Sequence, residues 1–195
     1  MDERNPTTGR QRILEQARHL FSLHGYHGAS IRDIAQACEL SNAALYYHFG
    51  NKQNLFFEVL KEYIAVVTRQ LQEAGAGEGS CRERLARIAD AYAQIIVESQ
   101  SAIQTLFRDL TQFDREEIRH LLPDARGRIQ STITTVLEEG IAAGEIRPMD
   151  TYHVGVLLLG MVSSLTARRL YSTAEATLEE DVDLIVDVLF EGIGI

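Results

Sequence analysis

Apolar residues recur every three or four positions along most of the chain, the spacing that gathers side chains on one face of an α-helix. The first such stripe consists of Ile13, Leu14, Ala17, Leu20 and Phe21. Gly25 and Gly28 follow the stripe and are expected to end this helix, since glycine adopts the left-handed backbone of a helix terminus without a Cβ clash. No segment alternates apolar and polar residues as a half-buried strand would, so the pattern predicts an all-α fold of about nine helices.

Polar residues suited to capping mark where the next helices begin. Ser30 precedes a second helix, and Asp33 three residues later completes a capping box. Ser41 is expected to cap a third helix, and Asn51 a fourth that runs from Lys52 towards Glu73. The predicted buried stripe of the second helix is Ile31, Ile34, Ala35 and Cys38.

The remainder of the chain is predicted to form five further helices. A glycine-rich stretch over residues 74–80 precedes them and is interpreted as a flexible joint, because a phosphate-binding glycine loop would follow a strand. The predicted helices are Ser80 to Glu98, Ser101 to Leu110, Arg115 to Gly144 with a break near Pro123, Thr151 to Tyr171, and Leu178 to Phe190.

The second and third helices are joined by only three residues, Glu39 to Ser41, which predicts the steep crossing of a helix-turn-helix. The third helix is short, and its N-terminal side chains are expected to meet base edges in a major groove roughly 12 Å wide. Leu45 and Phe49 lie four positions apart and are expected to face the core. The predicted DNA contacts come from the third helix, the start of the second helix and the start of the fourth helix. They are Ser30, Arg32, Ser41, Asn42, Ala43, Ala44, Tyr46, Tyr47, His48 and Lys52.

Over nearly fifty residues this segment resembles the DNA-binding domain of TetR-type (TetR/AcrR) bacterial transcriptional regulators. The matching residues are Ile13-Leu14, Ala17, Leu20-Phe21, Gly25-Tyr26, Ile31, Ile34-Ala35, Leu40-Ser41, Leu45-Tyr46, Phe49, Lys52 and Leu55. The resemblance implies a helix-turn-helix domain over residues 1–55 and a helical effector-binding and dimerisation domain over residues 56–195. It further implies a homodimeric repressor that a small-molecule effector releases from a pseudo-palindromic operator in double-stranded DNA.

The chain departs from the family pattern within the helix-turn-helix. Glu39 stands where the family usually has glycine, and a left-handed backbone there would cost about 1–2 kcal/mol. Its carboxylate would also repel phosphate if it pointed towards DNA. Ala43-Ala44 replaces a common pair of a small residue and threonine, which removes a hydroxyl donor. The operator sequence, the regulated genes and the choice between repression and activation therefore stay open.

The charge is unevenly distributed. The chain has a formal net charge of -9. Residues 1–55 carry six Lys or Arg against five Asp or Glu, or +1, and residues 56–195 carry the other 13 and 23, or -10. This difference is expected if only the first segment meets an anionic partner.

The last two predicted helices are expected to form the dimer surface, because the first of them is apolar nearly all round and needs cover on two sides. The predicted interface residues are Val154, Leu158, Val162, Leu165, Leu184, Ile185, Val188 and Leu189. An effector pocket that favours a hydrophobic or aromatic compound is predicted from side chains that combine apolar bulk with polar reach, namely Tyr92, Phe107, Phe113, His120, Tyr152, His153 and Met161.

Other function classes find little support in the sequence. Cys38 and Cys81 lie far apart and without metal-ligand or redox spacing, so we expect free buried thiols, no metal and no cofactor. No catalytic motif is present, which disfavours an enzyme. A helical protein–protein adaptor, or an activator without a small-molecule ligand, remains the alternative.

The N-terminus lacks a signal peptide pattern, and the longest apolar run falls short of the roughly 20 residues that span a bilayer, so we expect a cytoplasmic protein without membrane contact.

Overall fold

The structure, a computed structural model, describes residues 6–98, 108–121, 125–168 and 177–193. Regular structure in these ranges is helical, which confirms the predicted all-α class. The helices are α1 (Pro6–Gly28), α2 (Ile31–Ala37), α3 (Asn42–Phe49), α4 (Lys52–Gly75), α5 (Cys81–Glu98), α6 (Arg115–Leu121), α7 (Ala125–Ala142), α8 (Thr151–Arg168) and α9 (Leu178–Ile193).

The chain divides into two compact units. The first contains Met1–Ile64 and Gln100–Asp124, and the second contains Ala65–Ser99 and Ala125–Ile195. The predicted domain boundary between residues 55 and 56 falls inside α4, which continues without a break, and the domain assignment stays a prediction. In the first unit, Phe113 contacts Tyr26 of α1 and Phe56 of α4, residues remote from it in the sequence.

The core of the first unit is built from the predicted apolar stripes. Four of the five α1 residues are fully buried, as are the core-facing residues of the next helices, among them Ile34, Ala35, Cys38 and Leu45. Gly25 interrupts α1 with a left-handed φ of 72°, and the helix resumes as far as Gly28. The predicted termination at these glycines is therefore a kink at the first and an end at the second.

The predicted caps of the three following helices are all present. Ser30 Oγ accepts the Asp33 N–H at 3.1 Å while the Asp33 carboxylate accepts the Ser30 N–H at 3.2 Å, which is a complete capping box. Ser41 Oγ accepts the Ala44 N–H at 3.2 Å. Asn51 Oδ1 accepts the Asn54 N–H at 2.7 Å. These bonds fix the positions at which α2, α3 and α4 begin.

In the second unit, α5 packs against α7, α8 and α9, and α8 packs against α7 and α9. The buried residues of α5 lie on one stripe that includes Leu85, Ile88 and Ala89. The predicted long helix from Arg115 corresponds to α6 and α7, and the break expected near Pro123 lies outside the described residues. Much of the helix predicted over residues 101–110 lies outside the described residues.

Helix α8 approaches α7 closely at Gly155. Gln130 of α7 donates from Nε2 to the Tyr152 carbonyl at 2.7 Å, and a Cβ at Gly155 would lie 2.2 Å from that nitrogen. Gly160 has open space around it instead. The close approach at Gly155 is thus a contact within the second unit.

Across the described part of the chain, no helix has the length and apolar character needed to cross a membrane.

Candidate nucleic-acid interface

The turn between α2 and α3 is closed by two backbone hydrogen bonds. The Glu39 N–H donates to the Gln36 carbonyl at 3.0 Å, and the Leu40 N–H donates to the Ala35 carbonyl at 2.9 Å. This pattern is a Schellman motif, whose position after the cap takes a left-handed conformation. Glu39 occupies that position with φ at 55°. Glu39 therefore adopts the left-handed backbone conformation for which the family usually has glycine.

The side chain of Glu39 turns towards α1. Its carboxylate forms an ion pair with the Arg12 guanidinium at 3.4 Å. Both groups are solvent-accessible, so the pair stabilises the fold only slightly. Arg12 nevertheless offsets the negative charge of Glu39 at the turn that precedes α3.

Helix α3 divides its residues between core and solvent. Leu45 and Phe49 are buried, as expected from their spacing. Tyr46 and Tyr47 are exposed, the latter by 87%. Ser41, Asn42 and Ala43 at the N-terminal end of α3 are also exposed, whereas Ala44 and His48 are half-buried. Arg32 of α2 is exposed, and Ser30, which caps α2, is half-buried. The predicted contact residues are thus all at least partly accessible to solvent, and their contacts with DNA stay a prediction.

Lys52, at the first turn of α4, lies against an aromatic ring. Its Nζ is 4.6 Å from the centroid of the Tyr26 ring, a cation–π geometry. Partial burial lowers the pKa of Lys52 below its ordinary value. Burial, and then the nearby Glu117 carboxylate, raise the pKa of Tyr26. Sequence inspection placed Tyr26 in the family pattern but missed its contact with Lys52, which no local spacing reveals.

A second cationic group lies near the C-terminal end of α3. Arg10 stacks over the Phe49 ring at 5.3 Å and pairs with Glu58, which also pairs with Lys61 at 2.7 Å. Burial works against ionisation of Glu58, but the two cations outweigh it and lower its pKa. Glu58 therefore neutralises part of the positive charge here. Arg10 and Lys61 were not among the predicted contacts.

The predicted effector residues within the described ranges are divided between the two units. Phe113 lies in the first unit, where its ring contacts those of Tyr26, Phe56 and Phe57, and its place in an effector pocket stays a prediction. His120 is exposed on α6 of the same unit. Phe107 lies outside the described residues.

In the second unit, Tyr92 on α5 shares a hydrogen bond of 3.3 Å with Ser163 on α8, and both are half-buried. Met161 is two positions from Ser163 and therefore points to another side of α8. Tyr152 and His153 are exposed, and His153 Nδ1 lies 2.7 Å from an Asp150 carboxylate oxygen. Of the predicted residues here, Tyr92 alone combines partial burial with a polar partner on a neighbouring helix.

The predicted dimer residues separate into three groups by exposure. Leu158, Val162, Ile185 and Leu189 are buried in their own unit. Val154 and Leu165 are half-buried. Leu184 and Val188 are more than half exposed. The side chains that leave apolar surface uncovered on α8 and α9 are Tyr152, Val156, Leu157, Leu184 and Val188.

Within the described ranges, no three His, Cys, Asp or Glu side chains converge as metal ligands would. Cys38 and Cys81 are both buried and free.

Two family profiles match the chain. One, described as bacterial regulatory proteins of the tetR family, matches residues 13–59, and another, described as a tetracyclin repressor-like C-terminal domain, matches residues 78–167. Together they cover both the helix-turn-helix and most of the second unit.

Individual relatives agree with these profiles. The transcriptional repressor AcnR of Corynebacterium glutamicum is 42% identical over 73 residues, which are 37% of this chain and 39% of AcnR. This match therefore spans about two fifths of the relative's length. The repressor KstR2 of Mycolicibacterium smegmatis is 26% identical over 151 residues, with 73% of this chain and 70% of KstR2 covered.

A solved structure shows the same fold. FadR of Bacillus subtilis in complex with stearoyl-CoA superposes with a TM-score of 0.78 at 18% identity, covering 94% of this chain and 98% of FadR.

Proposed function

Since the chain belongs to the TetR family of bacterial regulatory proteins, we propose that it is a homodimeric transcriptional repressor that binds operator DNA through α3 and is released by a small-molecule effector. The observation that carries the proposal is the capped α3, whose Asn42 and Tyr47 are exposed to solvent, followed by Lys52 at the first turn of α4. Such a protein acts in the cytoplasm, where the operator is accessible.

The DNA contacts are divided by chemistry. Ser30, Arg32, Tyr46, His48 and Lys52 are assigned to the phosphate backbone, which positions the protein without reading sequence. The N-terminal residues of α3 are assigned to base edges, with Ser41 serving as the cap of the helix. The Asn42 amide suits adenine, and the methyl groups of Ala43 and Ala44 suit thymine. Tyr47 lies at the margin of the two groups.

A salt series on the protein's own promoter DNA tests DNA binding. Affinity is expected to fall steeply with salt, and Lys52→Ala to reduce the slope of log K against log salt by about 1. Tyr47→Ala is expected to weaken binding as well. Arg69→Ala removes one exposed positive charge elsewhere on α4 and is the matched control. A flat salt dependence, or equal behaviour of the Lys52 and Arg69 variants, would contradict the proposal.

Dimerisation is proposed through the uncovered apolar faces of α8 and α9. Their support is that five large apolar or aromatic side chains stand between 46% and 59% exposed on these two helices. A second copy of the chain would bury them and place two α3 helices on successive major grooves, roughly 34 Å apart or a multiple of that distance.

The effector site is proposed in the second unit beside Tyr92. Its support is the Tyr92–Ser163 hydrogen bond between α5 and α8, which offers one polar anchor at a largely apolar contact. We expect a hydrophobic effector, and the stearoyl-CoA bound to FadR makes long-chain acyl-CoA the first compound to test. An effector acts only through a difference in affinity between the DNA-binding and released conformations.

Release by the effector is measured as the loss of binding to operator DNA labelled with a fluorophore. Stearoyl-CoA is expected to release the DNA, whereas free coenzyme A at the same concentration is not. Tyr92→Phe keeps the ring and removes the hydroxyl, so it is expected to raise the effector concentration needed for release several-fold while DNA affinity stays unchanged. A compound that stabilises the protein against heat without releasing DNA counts against the proposal.

A further inference from the structure

Lys52 is held at the DNA-binding surface by more than its own helix. Its ammonium group rests over the face of the half-buried Tyr26 ring, with 4.6 Å between Nζ and the ring centroid. A positive charge at this distance is attracted by the negative face of the ring. The contact restricts a side chain that otherwise has four rotatable bonds.

The Tyr26 ring is itself fixed within the first unit. The Phe56 ring of α4 and the Phe113 ring both lie 5.0 Å from it, at interplanar angles of 62° and 70°. The backbone N–H of Tyr26 donates to the carboxylate of Asp109, which is buried. Ring and backbone are therefore both constrained, by residues that lie far beyond Tyr26 in the sequence.

This geometry matters because lysine loses much rotamer freedom when it grips a phosphate. A lysine already confined before binding loses less, and binds correspondingly more tightly. A tyrosine ring confines the ammonium without neutralising it, whereas a carboxylate partner would do both. The cation therefore keeps its attraction for phosphate while it stays in place.

We propose that Tyr26 is a positioning residue for DNA binding, which acts through Lys52 by holding its ammonium group over the ring face. This inference rests on the proposed DNA-binding function. It predicts that the electronic character of the ring, rather than its bulk alone, sets the affinity for DNA.

The test varies the ring at constant shape. Tyr26→Phe and Tyr26→pentafluorophenylalanine are made in the full-length protein, each with Lys52 retained and with Lys52→Met. Fluorination withdraws electron density from the ring face and abolishes its attraction for a cation, while the packing against Phe56 and Phe113 is kept. Thermal unfolding of each variant checks that the fold is intact. Binding to the promoter DNA is measured across a salt series.

With Lys52 present, Tyr26→Phe is expected to bind within about twofold of the unsubstituted protein, because the ring face remains. The fluorinated variant is expected to bind roughly threefold to tenfold more weakly. With Lys52→Met, the two ring variants should bind equally, since the cation through which the ring acts is gone.

Three outcomes would overturn the inference. Equal affinity of the Phe and fluorinated variants with Lys52 present would show that the ring face is irrelevant. An equal loss on fluorination in both Lys52 backgrounds would show a structural role. Tighter binding after fluorination would show that the ring withholds Lys52 from DNA.

The proposed function fails separately, since it is contradicted when the unsubstituted protein shows no salt-dependent DNA binding. If that binding is present and Lys52→Met weakens it, an unchanged affinity of the fluorinated variant rejects only the role of Tyr26. The proposed function would then still stand.

Discussion

At Glu39 the backbone takes the conformation that glycine adopts most readily. Its φ of 55° is required by the Schellman turn that leads from α2 into α3. A residue with a Cβ pays about 1–2 kcal/mol for this conformation. The ion pair with Arg12 returns little of that cost, because both side chains are exposed to solvent.

We therefore expect Glu39→Gly to raise the free energy of unfolding by about 0.5–1 kcal/mol, after allowing for the greater freedom of glycine in the unfolded chain. Urea denaturation provides the measurement. Glu39→Ala is the control, because it removes the carboxylate but keeps the left-handed strain, and it should bring no gain. If Glu39→Gly is no more stable than Glu39→Ala, the backbone at this position is not strained.

The thiol of Cys81 is expected to be inert in the folded protein. It is 3% exposed and lies 3.6 Å from the Val136 carbonyl oxygen. Burial, and then the Glu145 carboxylate, raise its pKa to about 11. Since the thiolate is the reactive form, roughly one molecule in a thousand carries it at pH 8. Cys38 is also buried, and burial raises its pKa.

Titration with a chromogenic disulfide reagent at pH 8 checks this expectation. Neither cysteine should react at a measurable rate in the native protein, and both should react in denaturing urea. Cys81→Ser and Cys38→Ser assign each signal to its residue. Rapid modification of the native protein at either position would contradict the burial.

Among the helices, the contact of α7 with α8 depends on one glycine. The Gln130 amide occupies the space where a Cβ at Gly155 would stand, and it donates to the Tyr152 carbonyl from there. Gly155→Ala should therefore displace this amide and destabilise the protein by about 1–3 kcal/mol. Gly9→Ala is the control in a helix with open space around it, where alanine is expected to stabilise slightly. Thermal and urea unfolding compare the two. If the Gly155→Ala variant is as stable as the unsubstituted protein, the close contact between Gly155 and Gln130 is contradicted.

At the scale of the whole molecule, the exposed apolar faces of α8 and α9 are expected to close a homodimer. Leu157, which is 59% exposed, lies on this surface. Leu157→Arg should shift the protein to monomers and weaken operator binding, because a buried unpaired charge is costly at an interface. Sedimentation velocity measures the oligomeric state directly.

Leu23 offers a matched control on α1, since it is 61% exposed. Leu23→Arg makes the same substitution at similar exposure and should leave the oligomeric state unchanged. If Leu157→Arg remains dimeric, the proposed interface is wrong. If both variants dissociate, the effect does not belong to this surface.

The sequence by itself determined the features that depend on neighbouring residues. Ser30, Ser41 and Asn51 cap their helices through bonds that span three residues, so local spacing was enough to predict them. The apolar period of α1 and the short turn before α3 likewise predicted the helix-turn-helix and the family resemblance.

Tertiary structure alone decided which distant residues meet. Phe113 was predicted in an effector pocket, yet it packs on Tyr26, and Asp109 bonds to a backbone N–H 83 positions away. Leu158 and Leu157 are adjacent apolar residues, but the packing of α8 buries one and exposes the other. The reason is physical: periodicity records that a helix has apolar faces, while the partner of each face is set by contacts between segments remote in the chain.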